Sequence, residues 1–196
     1  MGLTPIAPGE LATIVTSLQM TSRPKPAPMP ASRFSLVRWQ APSVETYRAL
    51  FTRVGAPWLW FSRLSLSTDA LAAIIQSPDV SIWAVCDRAG VELGLLELDF
   101  REAGACEIAF FGVVPELMGK GLGRWMMAHA LGAAWRPGVT RVWLHTCTFD
   151  APQALGFYRR AGFVPFAQAV ETFPDPRLTG LLPREAAPQI PVFDRS

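Results

Sequence analysis

Three glycines lie close together where a strand-like segment leads into a helix-like one. Gly119, Gly121 and Gly123 belong to the run Val-Val-Pro-Glu-Leu-Met-Gly-Lys-Gly-Leu-Gly over residues 113–123. Without side chains at the start of a helix, unpaired backbone N–H groups can close on a phosphate, which the positive end of the helix also favours. The spacing fits neither G-x-G-x-x-G nor a Walker loop, in which Lys120 would precede Ser or Thr. The run therefore predicts an anion-binding loop of another type.

The hydrophobic pattern supplies the elements that must position this loop. Alternating apolar residues bounded by turn residues predict strands over 34–39, 80–86, 92–101, 106–114, 141–146 and 164–172. Helical spacing predicts four helices, namely 44–54 capped by Ser43, 68–76 capped by Thr68 or Asp69, 122–135, and 151–161 capped by Asp150. The three consecutive strands between residues 80 and 114 are joined by short turns, so we expect them to form an antiparallel meander.

Composition predicts one domain with distinct ends. The 196 residues are close to a single-domain length, and 50% hydrophobic with 17% charged residues excludes a disordered chain. Most of the 18 prolines lie near the two ends, including an extended run over residues 23–30. We therefore predict a Pro-rich N-terminal extension over 1–30, a working domain over 31–173 and a Pro-rich C-terminal tail over 174–196.

The same composition argues against several classes of function. The longest apolar stretch, residues 108–115, is shorter than the ~18–20 residues of a membrane span. Residues 11–20 have no basic residues ahead of them, so a secretory signal is not expected. The net charge of +2 with scattered basic residues predicts no nucleic-acid partner. The three cysteines have no metal-ligand spacing and are interpreted as reduced core residues: Cys86, Cys106 and Cys147. A cytoplasmic protein with no metal and no membrane partner is expected.

The glycine-rich run resembles the GNAT superfamily of acyl-coenzyme A dependent N-acetyltransferases, and the resemblance covers most of residues 34–173. In that family a V-x-P segment is followed by [QR]-x-x-G-x-[GA], which 113–115 and 118–123 match except at Met118. The resemblance implies a mixed α/β (α+β) fold with a mostly antiparallel sheet of six to seven strands and about four helices. It also implies acetyl-coenzyme A as co-substrate, with these binding residues: Phe111, Gly112 and Val113 for the pantetheine arm, and Met118, Gly119, Lys120, Gly121, Leu122, Gly123 and Arg124 around the pyrophosphate.

A second family motif, approximately N-x-x-A-x-x-x-Y-x-x-x-G-F, is matched at Ala154, Tyr158, Gly162 and Phe163, with Ala151 at the asparagine position. Ala154 and Tyr158 share one helix face, and in the family this face meets the sulfur of the coenzyme. A phenol with a pKa of about 10 can protonate a departing thiolate whose conjugate acid is near 8.5. The resemblance therefore implies that Tyr158 is the general acid.

An attacking ammonium group must also lose a proton, and family members often use a carboxylate on one of the meander strands. Glu107 interrupts an otherwise apolar strand and is expected to share its face with Phe111, which makes it the first candidate. Glu97 is the second candidate. The alternative for these strands is a solvated face paired with Arg101. A proton relay through His145 and Thr146 also stays open.

The implied function is transfer of an acetyl group from acetyl-coenzyme A to a primary amine, a small molecule or a peptide, by direct attack in a ternary complex. The alternatives are a non-catalytic acyl-coenzyme A binding or regulatory module of the same fold, and an interaction protein. Five aromatic residues of segment 47–66 predict an apolar acceptor pocket, a roof over the domain or a subunit contact: Tyr47, Phe51, Trp58, Trp60 and Phe61. We expect the apolar excess to be covered by a homodimer contact, by the folded-back ends or by an apolar acceptor.

Overall fold

The computed structural model describes residues 2–25 and 28–194, so Pro26 and Ala27 of the proline-rich run lie outside the described residues. This part of the chain contains seven strands and four α-helices in the following order: β1 Glu10–Met20, β2 Ser35–Trp39, α1 Val44–Gly55, α2 Thr68–Ile75, β3 Val80–Cys86, β4 Glu92–Asp99, β5 Ala105–Val113, α3 Leu122–Ala134, β6 Arg141–Cys147, α4 Ala154–Arg160 and β7 Val164–Pro174. The strands form one sheet in the order β2-β3-β4-β5-β6-β1-β7. The mixed fold and the strand and helix numbers agree with the prediction.

The predicted meander and the first helix are present. β4 pairs antiparallel with both β3 and β5, and the Ser43 side chain accepts a hydrogen bond from the Thr46 amide as the N-cap of α1. The cap of α2 is Ser67, one residue before the two predicted candidates. Its hydroxyl accepts from the Ala70 amide, so helix α2 begins with Thr68 as its first residue.

The predicted N-terminal boundary is corrected by β1. Although residues 1–30 were placed outside the domain, β1 lies inside the sheet between β6 and β7 and pairs antiparallel with both. Its polar residues have partners, because Thr13 bonds Thr148 and Thr16 accepts from Gln168. The working domain therefore includes residues 10–20.

The residues that follow β7 are also packed, so the predicted boundary at residue 174 does not mark the end of the folded domain. Leu182 and Ile190 join a small apolar cluster with Leu11 of β1 and Phe173 of β7. Arg177 is almost fully buried, pairs with Asp175 at 2.7 Å and donates to backbone carbonyls that include Ile190. One internal ion pair thus holds the segment over 178–190 against the sheet.

The folded-back C-terminal segment covers part of the apolar excess, as one of the three expectations had it, since Leu182 and Ile190 form a cluster against which Phe61 packs. Tyr47 and Phe51 are fully buried in the main core, whereas Val164, Phe166 and Val170 of the edge strand β7 are exposed. None of the helices in the described ranges has the length and apolar character needed to span a bilayer. All three cysteines are free, and Cys147 alone is only half-buried.

Candidate active site

β5 and β6 run side by side at one end and then separate. Their parallel pairing joins residues 105–107 to residues 141–143, and beyond it lies a cavity of about 500 Å³. Residues 108–113 of β5 line one side of this cavity, and His145 and Cys147 of β6 line the other. Backbone polar groups of β5 that point toward β6 here have no neighbouring strand, so this edge can pair with an extended ligand.

The cavity passes through the sheet from one face to the other. Phe110 packs against Phe51 of α1 with ring centroids 4.8 Å apart, whereas Phe111 stacks on Phe157 of α4 at 5.8 Å. Consecutive strand residues point to opposite faces, so α1 and α4 cover opposite sides of β5. A Cβ at Gly123 would lie 3.4 Å from Phe157, which places the glycine loop, residues 119–123, on the α4 side.

The glycine loop has the geometry of an anion site. Gly119 and Gly121 have φ values of +71° and +79°, and a Cβ at either position would meet no atom within 4 Å. α3 begins without a side-chain cap, and Gly121 is its N-cap residue. Within 2–25 and 28–194, no backbone N–H of residues 119–123 donates to a protein acceptor. These amides therefore face open space at a helix start, where a phosphate group fits.

The electrostatics of the loop agree with this geometry. The first turn of α3 has no acidic residue, and Arg124 lines the cavity while Lys120 is exposed. The predicted coenzyme residues that line the cavity are Phe111, Gly112, Val113, Met118, Gly119, Gly121, Gly123 and Arg124. Leu122 differs, because its side chain is 6% exposed and belongs to the core, so only its backbone is available to a ligand.

Tyr158 lies in the cavity wall on the α4 side. Its ring makes an edge contact with Phe111 at 6.2 Å and with Phe157 at 5.4 Å. Burial raises the pKa of Tyr158 well above its ordinary value, and the charge of Asp150 adds to the effect. The phenol therefore stays protonated at neutral pH and can donate a proton to a group in the cavity.

Glu97 does not have the environment of a general base. Its side chain is fully buried and accepts hydrogen bonds from the Tyr47 hydroxyl and from Arg63, each at 2.5 Å. Burial lowers the pKa of Arg63, but the charges and hydrogen bonds of Glu97 and Tyr47 together outweigh it, so the net pKa of the guanidinium is raised. Glu97 is thus one member of a closed, charge-neutral network beneath α1, and the cavity is lined by other residues.

Glu107 lies on the face opposite to Phe111, contrary to the prediction. Glu97 and Asp99 are on one face of β4, and they pair with Phe110 and Glu107 respectively, so Ala109 is an unpaired bulge residue. This extra residue reverses the alternation of β5, so Glu107 and Phe110 both face α1. The bulge could not be read from the sequence because it depends on the register of the partner strand.

Glu107 instead reaches the cavity through His145. The Glu107 carboxylate lies 3.3 Å from Nδ1 of His145, and His145 itself lines the cavity. The hydrogen bond that His145 donates to the Glu107 carboxylate raises the pKa of His145 above its ordinary value, although burial acts in the opposite direction. Glu107 also borders a second, smaller cavity with Asp99 and Arg101 on the same face.

Asp150 is a cavity residue whose role sequence reasoning missed. It was predicted to cap the last helix, but α4 begins at Ala154 with Gln153 as N-cap and without a side-chain bond. The Asp150 carboxylate accepts instead from Thr146 Oγ1 at 2.7 Å, from the Cys147 amide at 3.0 Å and from Trp60 Nε1 at 3.4 Å. It thus places a negative charge between the two ends of the cavity, and no local sequence signal identifies this role.

The α1 side of the cavity, called here the acceptor end, has an aromatic wall. Its aromatic residues are Trp58, Trp60, Phe61, Phe149 and Phe173. Phe61 stacks on Phe173 at 4.5 Å, and Phe149 meets Phe173 edge-on at 6.2 Å. Segment 47–66 therefore divides, with its first two aromatic residues in the core and the other three on the cavity wall.

Comparison with known proteins shows the family to which the chain belongs. The sequence model of the Acetyltransferase (GNAT) family matches residues 45–163. This range covers more than half of the chain and includes the glycine loop, Tyr158 and both meander carboxylates. The chain therefore belongs to the GNAT acetyltransferase family. A search of curated protein sequences found no match.

Solved structures share the fold. A GCN5-related N-acetyltransferase from Sphaerobacter thermophilus superposes with a TM-score of 0.62 at 16% identity, covering 85% of this chain and 52% of that protein. A second one from Kribbella flavida has a TM-score of 0.55 at 21% identity, covering 88% and 63%. The spermidine/spermine N-acetyltransferase SpeG from Vibrio cholerae has a TM-score of 0.52 at 22% identity, covering 68% and 81%. The chain thus spans between half and two thirds of the first two relatives.

Proposed function

We propose that the protein transfers the acetyl group of acetyl-coenzyme A to a primary amine by direct attack within a ternary complex. The observation that carries the proposal is the run of unpaired backbone amides at 119–123, which opens into the same cavity as Tyr158. One cavity therefore joins an anion site, an exposed strand edge and a protonated acid.

The residues present fit an acyl-coenzyme A. The amides of the glycine loop and the cation of Arg124 would hold the pyrophosphate, since both favour anions at the start of α3. The open edge of β5 at Phe111, Gly112 and Val113 would pair with the amides of the pantetheine arm. The coenzyme supplies an activated thioester. Met118 supports the site through its backbone, because a thioether does not replace the charge or amide of the usual family residue.

Two side chains transfer the protons of the reaction, one as a base and one as an acid. His145, whose pKa is raised by Glu107, takes the proton of the incoming ammonium group so that the amine nitrogen is free to attack the carbonyl carbon. Tyr158 donates its proton to the sulfur as the carbon–sulfur bond breaks, since burial keeps the phenol protonated. Glu107, which the sequence analysis favoured as base, acts here as the partner that holds His145 and stabilises its cation.

Direct transfer is preferred over an acyl-enzyme because the cavity offers no activated nucleophile among the described residues. Cys147 is the thiol that lines it. Burial raises the pKa of Cys147, and the nearby charge of Asp150 raises it further. A thiol held in its protonated form is a poor nucleophile, so no covalent intermediate on the protein is required.

The test compares two glycine substitutions of equal charge and backbone strain. Gly121→Asp puts a carboxylate into the proposed phosphate site, and Gly90→Asp does the same in the exposed turn before β4, where φ is +82° and a Cβ likewise meets nothing within 4 Å. Calorimetric titration with acetyl-coenzyme A should show binding to the parent protein and to Gly90→Asp, with at least ~100-fold weaker binding to Gly121→Asp. Equal affinity of both variants would contradict the placement of the pyrophosphate.

A turnover assay distinguishes an acetyltransferase from a non-catalytic acyl-coenzyme A binding module. Thiol release should accompany acetylation of an added primary amine, with the acetylated amine identified by mass spectrometry. Binding of the coenzyme without product formation for any amine would favour the binding module, whose fold would be the same.

A further inference from the structure

The acceptor end of the cavity indicates one class of amine, and this inference rests on the proposed acetyl transfer. We infer that the acceptor is a primary amine on an uncharged apolar body, such as an arylalkyl or alkyl group, and not a polyamine. The rigid aromatic wall of this end and the positions of the carboxylates that line the cavity both favour this class of amine.

The central ring of the wall is fixed before any acceptor binds. Trp60 packs against Phe51 and Phe110 with ring centroids 5.6 and 5.2 Å away. A Cβ at Gly55 would lie 2.5 Å from Trp60, and one at Gly112 would lie 2.9 Å from it. Two glycines therefore make room for this indole, and real Cβ atoms at either position would displace it. A rigid aromatic surface binds apolar groups without losing side-chain freedom.

The remaining rings extend the same surface. Phe61 and Phe149 each contact Phe173, and Leu59 and Leu182 belong to the small apolar cluster against which Phe61 and Phe149 pack. The segment after β7 thus backs the wall of the acceptor end. An apolar body that enters here leaves water for a surface made mostly of carbon, which is the main source of affinity for such groups.

One carboxylate lies at the proposed reaction centre, and the other is exposed to solvent. Among the described residues, the carboxylates that line the cavity are Asp150 and Glu171. Asp150 lies beside the proposed reaction centre, where it accepts hydrogen bonds from Thr146 and Trp60. Glu171 is exposed on β7, across from Thr13 of β1, and an exposed charge is screened by water and salt. A second ammonium that entered among the rings would lose hydration, and cation–π attraction recovers only part of that loss.

The experiment compares two monoamines with a diamine, and the two that share a six-carbon chain differ by one charge. Initial rates of thiol release with acetyl-coenzyme A are measured for n-hexylamine, hexamethylenediamine and phenylethylamine, and kcat/KM of the diamine is corrected for its two equivalent amines. We expect kcat/KM to be at least ~10-fold higher for each monoamine than for the diamine. A diamine that is used equally well or better would overturn the inference.

A matched pair of variants tests the cause of the preference. Trp58 lines the acceptor end and is half-buried, so Trp58→Glu adds a carboxylate to the wall, and Trp58→Gln makes the same change of shape without charge. The monoamine-to-diamine ratio should be ~10-fold smaller for Trp58→Glu than for Trp58→Gln. An equal ratio in both variants would contradict the charge argument. If either variant loses its cooperative thermal transition, the monoamine and diamine rates of the parent protein alone test the inference.

Failure of this inference differs from failure of the proposed function. Acetylation of the diamine in preference to both monoamines leaves acetyl transfer intact and refutes only the acceptor class. Absence of acetyl-coenzyme A binding refutes the proposed function itself. Coenzyme binding without acetylation of any of the three amines refutes the acceptor class, and it refutes the transfer reaction as well only if no other primary amine is acetylated.

Discussion

Glu97 forms a buried network with Tyr47 and Arg63, and a substitution in this network tests whether Glu97 has a structural role or a catalytic one. Glu97 is fully buried and holds the Arg63 guanidinium at 2.5 Å, and the Arg63 side chain is 14% exposed. Glu97→Gln keeps the shape and an acceptor oxygen for the Tyr47 hydroxyl, but it removes the only charge described as paired with Arg63. The substitution therefore leaves a largely buried cation without a counter-charge.

The expected cost follows from this geometry. Removing one partner of a buried ion pair costs about 3–5 kcal/mol. The Arg63 guanidinium also lies 5.2 Å over the ring of Phe110, but this contact is present in parent and variant alike and does not change the difference. We therefore expect a loss of about 3–5 kcal/mol in the free energy of unfolding. For a chain of this size the loss corresponds to a fall of roughly 6–20 °C in Tm.

Guanidinium or urea denaturation, with thermal unfolding alongside it, measures the effect. The control is the double variant Arg63→Met with Glu97→Gln, which removes both charges and keeps the acceptor for Tyr47. Replacing both members of a buried pair is often close to neutral, so the double variant should recover most of the loss, as a double-mutant cycle would reveal. A Glu97→Gln protein of parental stability whose kcat falls ~100-fold would refute the structural role of Glu97 and support its role as the general base.

Three further predictions address the cavity and its support. Tyr158→Phe should lower kcat by about 100-fold while calorimetry shows unchanged acetyl-coenzyme A affinity, because it removes only the proton donor; an unchanged rate across pH 7–9 would exclude that role. Glu107→Gln should lower the pKa of His145 in an NMR titration, because the raised pKa comes first from the Glu107 hydrogen bond. Since the folded-state pKa is raised, this pair stabilises the protein fully below the ordinary His pKa of about 6.5, and the contribution disappears as pH rises through the folded value. The stability difference between parent and Glu107→Gln should therefore shrink with rising pH, and a difference that grows would contradict the assignment. Arg177→Met should make the segment after β7 sensitive to limited proteolysis and raise KM for the amine, since it leaves buried Asp175 unpaired; Arg184→Met, at an exposed surface pair, is the control that should remain resistant.

The sequence predicted those elements whose signals are local. The meander strands, the cap at Ser43 and the glycine loop each depend on neighbouring residues, so their bounds agree with the structure within one or two residues. The anion site also follows from local backbone chemistry, because it needs only glycine at a helix start. The role proposed for Tyr158 came from the family resemblance, and the structure adds that Tyr158 lines the same cavity as the glycine loop.

The missed features depend on contacts between distant segments. β1 was not predicted because Thr13 and Thr16 are polar residues on buried positions, and their partners Thr148 and Gln168 are far along the chain. The position of Glu107 depended on the bulge at Ala109, which only the pairing with β4 reveals. The prediction of Asp150 as a helix cap is wrong, because its actual donors lie not at a helix start but at the end of β6 and at Trp60, which lies 90 residues away.

The position of β1 has a consequence for the order in which the molecule assembles. β2 to β5 pair with strands that follow one another in sequence, whereas β1 has no neighbour in the sheet until β6 and β7 have been synthesised. Such long-range pairing is slow to form because a large loop must close first. On the ribosome the meander and α1 can therefore fold early, while β1 stays unpaired until β6 has emerged. The wall of the cavity that β6 and β1 form is completed only then, so the nascent chain cannot form the candidate site before β6 is available.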